Sequence, residues 1–191
     1  MSVLAITTVG DPVLRERARD VSPEDLRSDD VQAFIDDLIE TKRAAHGAGL
    51  AANQVGDLRR IAVVEVEPDN PRYPYKPPFP LTVLVNPELE PVGDETIEVN
   101  EGCLSVPDVR GTLPRHARVR VRFLDRDGDA RELEVSGLTA GTFQHEVDHL
   151  NGVLFVDRAD PRTVTTWEQY DRTHREEFER RAGEIVERYG S

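Results

Sequence analysis

The chain has 191 residues, 38% of them hydrophobic, and a single cysteine, Cys103. That length fits one domain able to bury roughly two-thirds of its unfolded surface, and one thiol excludes an intrachain disulfide. With 24 basic and 37 acidic side chains the net charge is −13, a field that repels phosphate and excludes nonspecific nucleic-acid binding.

No apolar run approaches the ~20 residues of a membrane span. The N-terminal residues lack the long apolar stretch and cleavage site of a signal peptide, and they carry acids early, unlike a transit peptide. The chain reads as cytoplasmic, with no membrane partner.

Ser22-Pro23-Glu24-Asp25 has the capping serine and first-turn proline of a helix start. Val31, Phe34, Ile35, Leu38 and Ile39 then repeat at helical spacing, so one helix is expected to run to about His46. Residues 47–56 read as a small-residue loop and Ile61–Val66 as a strand. Residues 68–80 carry six prolines, which excludes a helix or central strand and suggests a surface excursion. Leu81–Val85 and Thr96–Asn100 read as strands. Arg118–Leu124 alternates as a half-buried strand does, Asp125–Gly128 turns, and Arg131–Val135 returns. Gly137–Leu150 reads as a helix. A terminal helix is expected from about Pro161 to Tyr189, with Trp167, His174, Phe178, Ile185 and Tyr189 along one stripe. The order is α+β with mostly antiparallel strands around the 137–150 helix.

His145-Glu146-Val147-Asp148-His149 is the sharpest motif. On a helix, positions i and i+4 share a face, so both imidazoles can reach one metal ion with Glu146 beside them. A divalent ion acidifies bound water to a pKa of about 7, and a neighbouring carboxylate can take its proton. Two histidines do not complete a site. The extended zincin pattern fits through Gly152 and fails at Phe155, where a histidine is required. Glu168 lies at a spacing compatible with another zincin class. Cys103, in Glu101-Gly102-Cys103-Leu104-Ser105, is the other candidate, although a lone thiol is by default a small buried hydrophobe. Residues 47–54, GAGLAANQ, lack the flanks of a dinucleotide fingerprint and taken alone read as a helix-to-strand connection with a solvated Gln54.

Taken together, Gly-x-Gly-x-Ala-Ala-x-Gln, Glu-Gly-Cys-Leu-Ser and Gln-His-Glu-x-Asp-His resemble the peptide deformylases in order and spacing. The resemblance covers most of residues 5–160, from Val9–Arg15 through Val106–Arg115 to Gly152–Asp157. It implies a catalytic domain over residues 1–160; the apolar stripe and mixed charge of the helix over 161–191 predict that it packs on the same domain. The resemblance implies Cys103, His145 and His149 as ligands of ferrous iron, with zinc or another divalent ion able to replace it. It also implies Glu146 as the acid–base, with Gln54 and the Leu104 N–H as donors to the oxyanion. The substrate would be an extended N-formyl-methionyl nascent peptide. Gly49 and Gly102 would contact its backbone, and Ala48, Val99, Glu101, Leu138, Gly141 and His145 its methionine, with Arg110 near its path. Asp148 is expected to pair with Arg115 beneath the ligands.

The chain departs from the family pattern at Asn53, Asp108 and Asn151. Ala48 and Gly141 are small, which predicts a roomy methionine pocket. Some family members dock on the ribosome through a basic tail; residues 161–191 hold six arginines against seven acidic residues, a poor magnet for RNA. Three other readings remain open: a zincin peptidase built on Glu168, a silent nascent-chain binding module, and a purely structural metal site, for which four protein ligands are usual and three good candidates are found.

Overall fold

The computed structural model describes residues 2–191. The helix expected from Ser22 to His46 is interrupted at Arg27–Ser28. α1 (Pro23–Leu26) is capped by Ser22; α2 (Asp29–Ala44) starts afresh, with Ser28 accepting from the Val31 N–H. Ser28 followed by Asp29 and Asp30 satisfies free N–H groups and complements the helix dipole better than an uninterrupted turn would.

The buried face of α2, Val31, Ile35, Leu38 and Ile39, packs with Leu50, Ile61, Val63 and Val83. These belong to β1 (Gly49–Ala51), β2 (Ile61–Val66) and β3 (Phe79–Pro91). The segment expected as a loop at 47–56 therefore contains a strand. Gly49 pairs with Val64 and Ala51 with Ala62, and a tight helical turn follows over Ala52–Val55. Three residues are too few to show a period of two.

The remaining elements are β4 (Thr96–Cys103), β5 (Val106–His116), β6 (Arg118–Leu124), β7 (Ala130–Ser136), α3 (Gly137–Leu150), β8 (Thr165–Thr166), α4 (Trp167–Thr173) and α5 (Arg175–Tyr189). A five-stranded sheet runs β1-β2-β3-β6-β7 and a three-stranded sheet β4-β5-β8; every ladder between named strands is antiparallel. β5 was not among the expected strands, because Pro107 and Pro114 lower its strand propensity. Both prolines are exposed.

α3 lies between the sheets. Ala140 and Phe143 pack with Val64, Leu84, Val119 and Val121 of the larger sheet. Leu138 packs with Ile97, Val99 and Leu113 of the smaller one. All of α3 is buried except half-buried His145, and a helix buried on every side has no freedom to rotate about its axis.

The single terminal helix expected over 161–189 is instead a strand and two helices. The β-branched run Val164–Thr166 places Thr165 and Thr166 against Arg110 and Val109; Thr166 then caps α4 and His174 separates α4 from α5. Trp167, Phe178, Ile185 and Tyr189 join the core beside β4 and β5, whereas His174 is exposed and leaves the expected stripe. The proline-rich segment also departs from expectation. Rather than standing off as a surface excursion, it folds back so that the Tyr75 ring meets Phe178 edge-on at 5.0 Å.

Glu65 of β2 ties α2 to the sheet through Lys42 at 2.6 Å and Arg43 at 2.8 and 2.9 Å. The Arg43 bonds, against the opposing effect of burial and with Lys42 adding to them, lower its pKa from 4.5 to about 2. A folded-state pKa below the unfolded value gives stability that is complete above the unfolded value and lost as pH falls through the folded one. The Glu65 contribution should therefore disappear between 4.5 and about 2. Thermal melts across that range should show a flatter acid limb for Glu65→Gln than for the wild type.

Candidate metal centre

His145 and His149 lie one turn apart on α3, and Cys103 is the last residue of β4. The two imidazole Nε2 atoms are 3.2 Å apart, and Cys103 Sγ is 3.2 Å from His149 Nε2. Donor atoms of all three residues lie within 4.8 Å of one another. The β4–β5 register slips between Gly102 and Cys103, an irregularity of the kind that re-aims a side chain. Glu168 is exposed on α4 and lies outside this group.

The donor set suits a divalent metal. The Ser105 N–H at 3.3 Å and Gln54 Nε2 at 3.5 Å both point at the Cys103 sulfur. Glu101 accepts from His145 Nδ1 at 2.8 Å; a carboxylate only accepts, so Nδ1 carries a proton and Nε2 is the ring nitrogen that faces His149. One thiolate and imidazole nitrogens form a soft ligand set for iron or zinc.

Behind the ligands runs a chain of charges. Arg115 donates to Glu101 at 2.7 and 2.9 Å and to Asp148 at 2.5 Å. Arg158 reaches the other Asp148 oxygen at 3.0 Å. The Asp148–Arg115 pair is thus present, and Glu101 joins it. Burial opposes ionisation of Glu101, but Arg115 and His145 hold its carboxyl well below the usual carboxylate range. Glu101 borders the cavity as expected, yet its carboxylate is committed to orienting a ligand.

Glu146 is 3% exposed, and its Oε2 has no hydrogen-bond partner. Burial pushes its pKa up to about 7, close to neutral pH, where a group both takes and gives a proton readily; a cation bound beside it would pull that value down. A Cβ at Gly49 would fall inside the Glu146 carboxyl group, which explains the glycine. Gln54 is buried, not solvated: its Oε1 accepts from the Ala51 N–H at 2.9 Å and its Nε2 donates to Ser105 Oγ at 3.1 Å. Ser105 stood in the motif, but nothing in the sequence marked it as the group that orients Gln54.

One cavity leads to Cys103 and His145. Ala48, Gly49 and Leu104 border it on one side; Val99, Glu101, Gly102 and Arg110 line the smaller sheet's side; Leu138, Gly141 and Glu146 come from α3. Every substrate-contact residue inferred from the resemblance therefore borders it. Tyr73, Tyr75, Lys76 and Phe178 border it too and were missed: a proline-rich composition excludes regular structure without saying where residues 68–80 fold, and the apolar spacing around Phe178 marks a packed helix without saying what it packs on. Arg110 is 1% exposed, donates to Asn100 at 2.6 and 2.8 Å, and lies over the Trp167 and Tyr170 rings at 4.3 and 4.4 Å.

The three family departures have local explanations. Asp108 takes a φ of 65°, where glycine is cheapest. Asn53 Nδ2 donates to the His149 carbonyl at 2.5 Å, and Asn151 accepts from Arg60 at 3.0 Å.

Arg115→Ala would leave Glu101 and Asp148 without their shared guanidinium. The expected cost is about 3 kcal/mol of stability or more and a roughly 10- to 100-fold weaker hold on metal, read by thermal melts and metal titration. Unchanged melting and metal affinity would remove Arg115 from the account.

Residues 3–165 match the family model described as polypeptide deformylase. Peptide deformylase 2 of Nostoc sp. is 41% identical over 87% of this chain and 92% of its own. The peptide deformylase of Chromohalobacter salexigens is 44% identical over 84% of this chain and 88% of its own. Among solved structures, a class I type b peptide deformylase of Acinetobacter baumannii bound to Met-Ala-Ser superposes with a TM-score of 0.79 at 40% identity, covering 83% of this chain and 99% of that one. The Thermotoga maritima peptide deformylase gives a TM-score of 0.73 at 36% identity over 84% and 100% of the two chains. The chain belongs to the polypeptide deformylase family, the metal-dependent hydrolases that remove the N-formyl group from new polypeptides.

Proposed function

We propose that this chain hydrolyses the formamide of N-formyl-methionyl nascent peptides at the centre formed by Cys103, His145 and His149. The single observation that carries the reading is the convergence of those donors within 4.8 Å beside the buried, unpartnered Glu146 carboxyl. The bound Met-Ala-Ser in the Acinetobacter baumannii relative supports a peptide substrate for this chain.

Cys103, His145 and His149 hold one divalent ion, ferrous iron in the cell, with zinc or another divalent ion able to take its place. Such an ion supplies Lewis acidity toward water and toward a carbonyl oxygen. Glu146 takes a proton from the attacking water and delivers it to the departing amine, so that water and formamide become formate and a free N-terminus. The Gln54 side-chain amide and the Leu104 N–H donate to the formyl oxygen as it gains negative charge.

Gly49 and Gly102 bind the extended peptide through their backbones, an added-strand mode that needs no side chain on either residue. Ala48, Val99, Leu138 and Gly141 receive the first side chain, and Arg110 stands along the peptide's path.

The enzyme works in the cytoplasm on chains leaving the ribosome. Among the described residues no helix is long and apolar enough to cross a membrane. Residues 1–160 form the catalytic domain, and 161–191 pack on it; the contact of Tyr75 with Phe178 and the stacking of Arg110 on Trp167 support this division. The balanced charge of that terminal segment favours such packing over an RNA surface.

Anaerobically purified protein should release formate from formyl-Met-Ala-Ser. Glu146→Ala should abolish most of that activity, and Gln54→Ala should cost about 100-fold or more in rate. A folded, metal-loaded wild type that releases no formate would overturn the reading.

A further inference from the structure

The first side-chain pocket has one feature that a thioether does not need. Its walls are small at Ala48 and Gly141, and a Cβ built at Gly141 would meet only Val99 Cγ1, at 3.8 Å. The proline-rich segment sends Lys76 into that space. Its ammonium donates to Thr142 Oγ1 at 2.7 Å and lies 5.0 Å from the centre of the Tyr73 ring. The Thr142 hydroxyl is itself spent on the Leu138 carbonyl at 3.2 Å, so it accepts from Lys76 with its lone pair. An ammonium carries three N–H donors, and Thr142 takes one. No carboxylate forms an ion pair with Lys76 among the described residues.

A cation taken out of water without a counter-ion is costly. Burial lowers the Lys76 pKa to about 8, against the opposing pull of Glu101 and Glu146, which leaves it charged at neutral pH. Those two carboxylates also make the pocket a poor place for a fully anionic side chain. A neutral group with a strong oxygen acceptor suits it better. Thioether sulfur is a weak acceptor; the oxygen of a sulfoxide carries a large partial negative charge and stands one bond beyond the sulfur, level with the ε-methyl group.

We propose that Lys76 is a specificity-determining residue that adapts the first side-chain pocket to methionine sulfoxide, so that the enzyme deformylates chains whose initiating formyl-methionine has been oxidised. This rests on the deformylase reading above and names a substrate class for the same site. The hydrolysis is the ordinary one: water adds across the formamide, formate leaves, and the sulfoxide passes through unchanged.

The test compares kcat/KM for formyl-Met-Ala-Ser, formyl-(methionine sulfoxide)-Ala-Ser and formyl-norleucine-Ala-Ser, norleucine being a side chain of similar length with no acceptor. The proteins are the wild type, Lys76→Met and Lys76→Gln, with melting temperature and metal content checked for each. The wild type should favour the sulfoxide over norleucine. Lys76→Met should lower the sulfoxide-to-norleucine ratio by about tenfold or more, the worth of one hydrogen bond to a charged donor, and Lys76→Gln should fall between them. An equal ratio in the wild type and Lys76→Met would overturn the proposal. Should Lys76→Met not fold, a wild type that prefers norleucine to the sulfoxide overturns it alone. A metal-loaded wild type that releases formate from none of the three peptides would instead sink the deformylase reading itself.

Discussion

The guanidinium of Arg115 joins the parts of the site that come from different elements. From β5 it grips Glu101 on β4 and Asp148 on α3, and Glu101 in turn holds the Nδ1 of His145. The strand that supplies Cys103 and the helix that supplies both histidines are therefore fixed to each other by charge as well as by packing. Breaking such a buried array costs more than forming it contributes, because each partner left behind is an unpaired charge in a medium that solvates it poorly. Its value here is positional: soft ligands converge only if β4 and α3 keep one relative placement.

Apolar packing sets the frame that the charges refine. α3 is enclosed by the core of the larger sheet on one side and of the smaller sheet on the other. That enclosure desolvates Glu146 and leaves its Oε2 without a partner, a costly state that suits proton transfer. The absence of a side chain at Gly49 lets β1 pass beneath the carboxyl group, as the collision of a Cβ there with Glu146 demonstrates. Terminal α4 and α5 belong to the same arrangement, since Trp167 and Tyr170 cover Arg110 and Phe178 borders the cavity.

Legibility in the sequence follows the range of the interactions concerned. The 118–124 strand carries a clear alternation and is found where the pattern puts it, and the 137–150 helix spans the residues expected for it. His145 and His149 stood out in their own motif, whereas Cys103 and the cavity walls were readable only through the joint spacing of three motifs, since a lone Cys103 or a lone glycine segment points nowhere on its own. β1 was hidden because three residues show no period, and β5 because Pro107 and Pro114 lower its strand propensity. The break in α1–α2 lay in the competition between Ser22 and Ser28 as caps. The return of Tyr75 and Lys76 into the pocket is a tertiary event: prolines forbid regular structure there, and contact with Phe178 and Thr142 decides the rest.

The central claim is that a thiolate and two imidazoles on facing elements hold one divalent ion. Cobalt(II) substitution under anaerobic conditions, followed by absorption spectroscopy, examines it most directly. One cobalt per chain should bind, with a sulfur-to-metal charge-transfer band that Cys103→Ser removes and Glu168→Ala leaves in place. A spectrum without that band, or one that Glu168→Ala abolishes and Cys103→Ser does not, would contradict the ligand set and the account built on it.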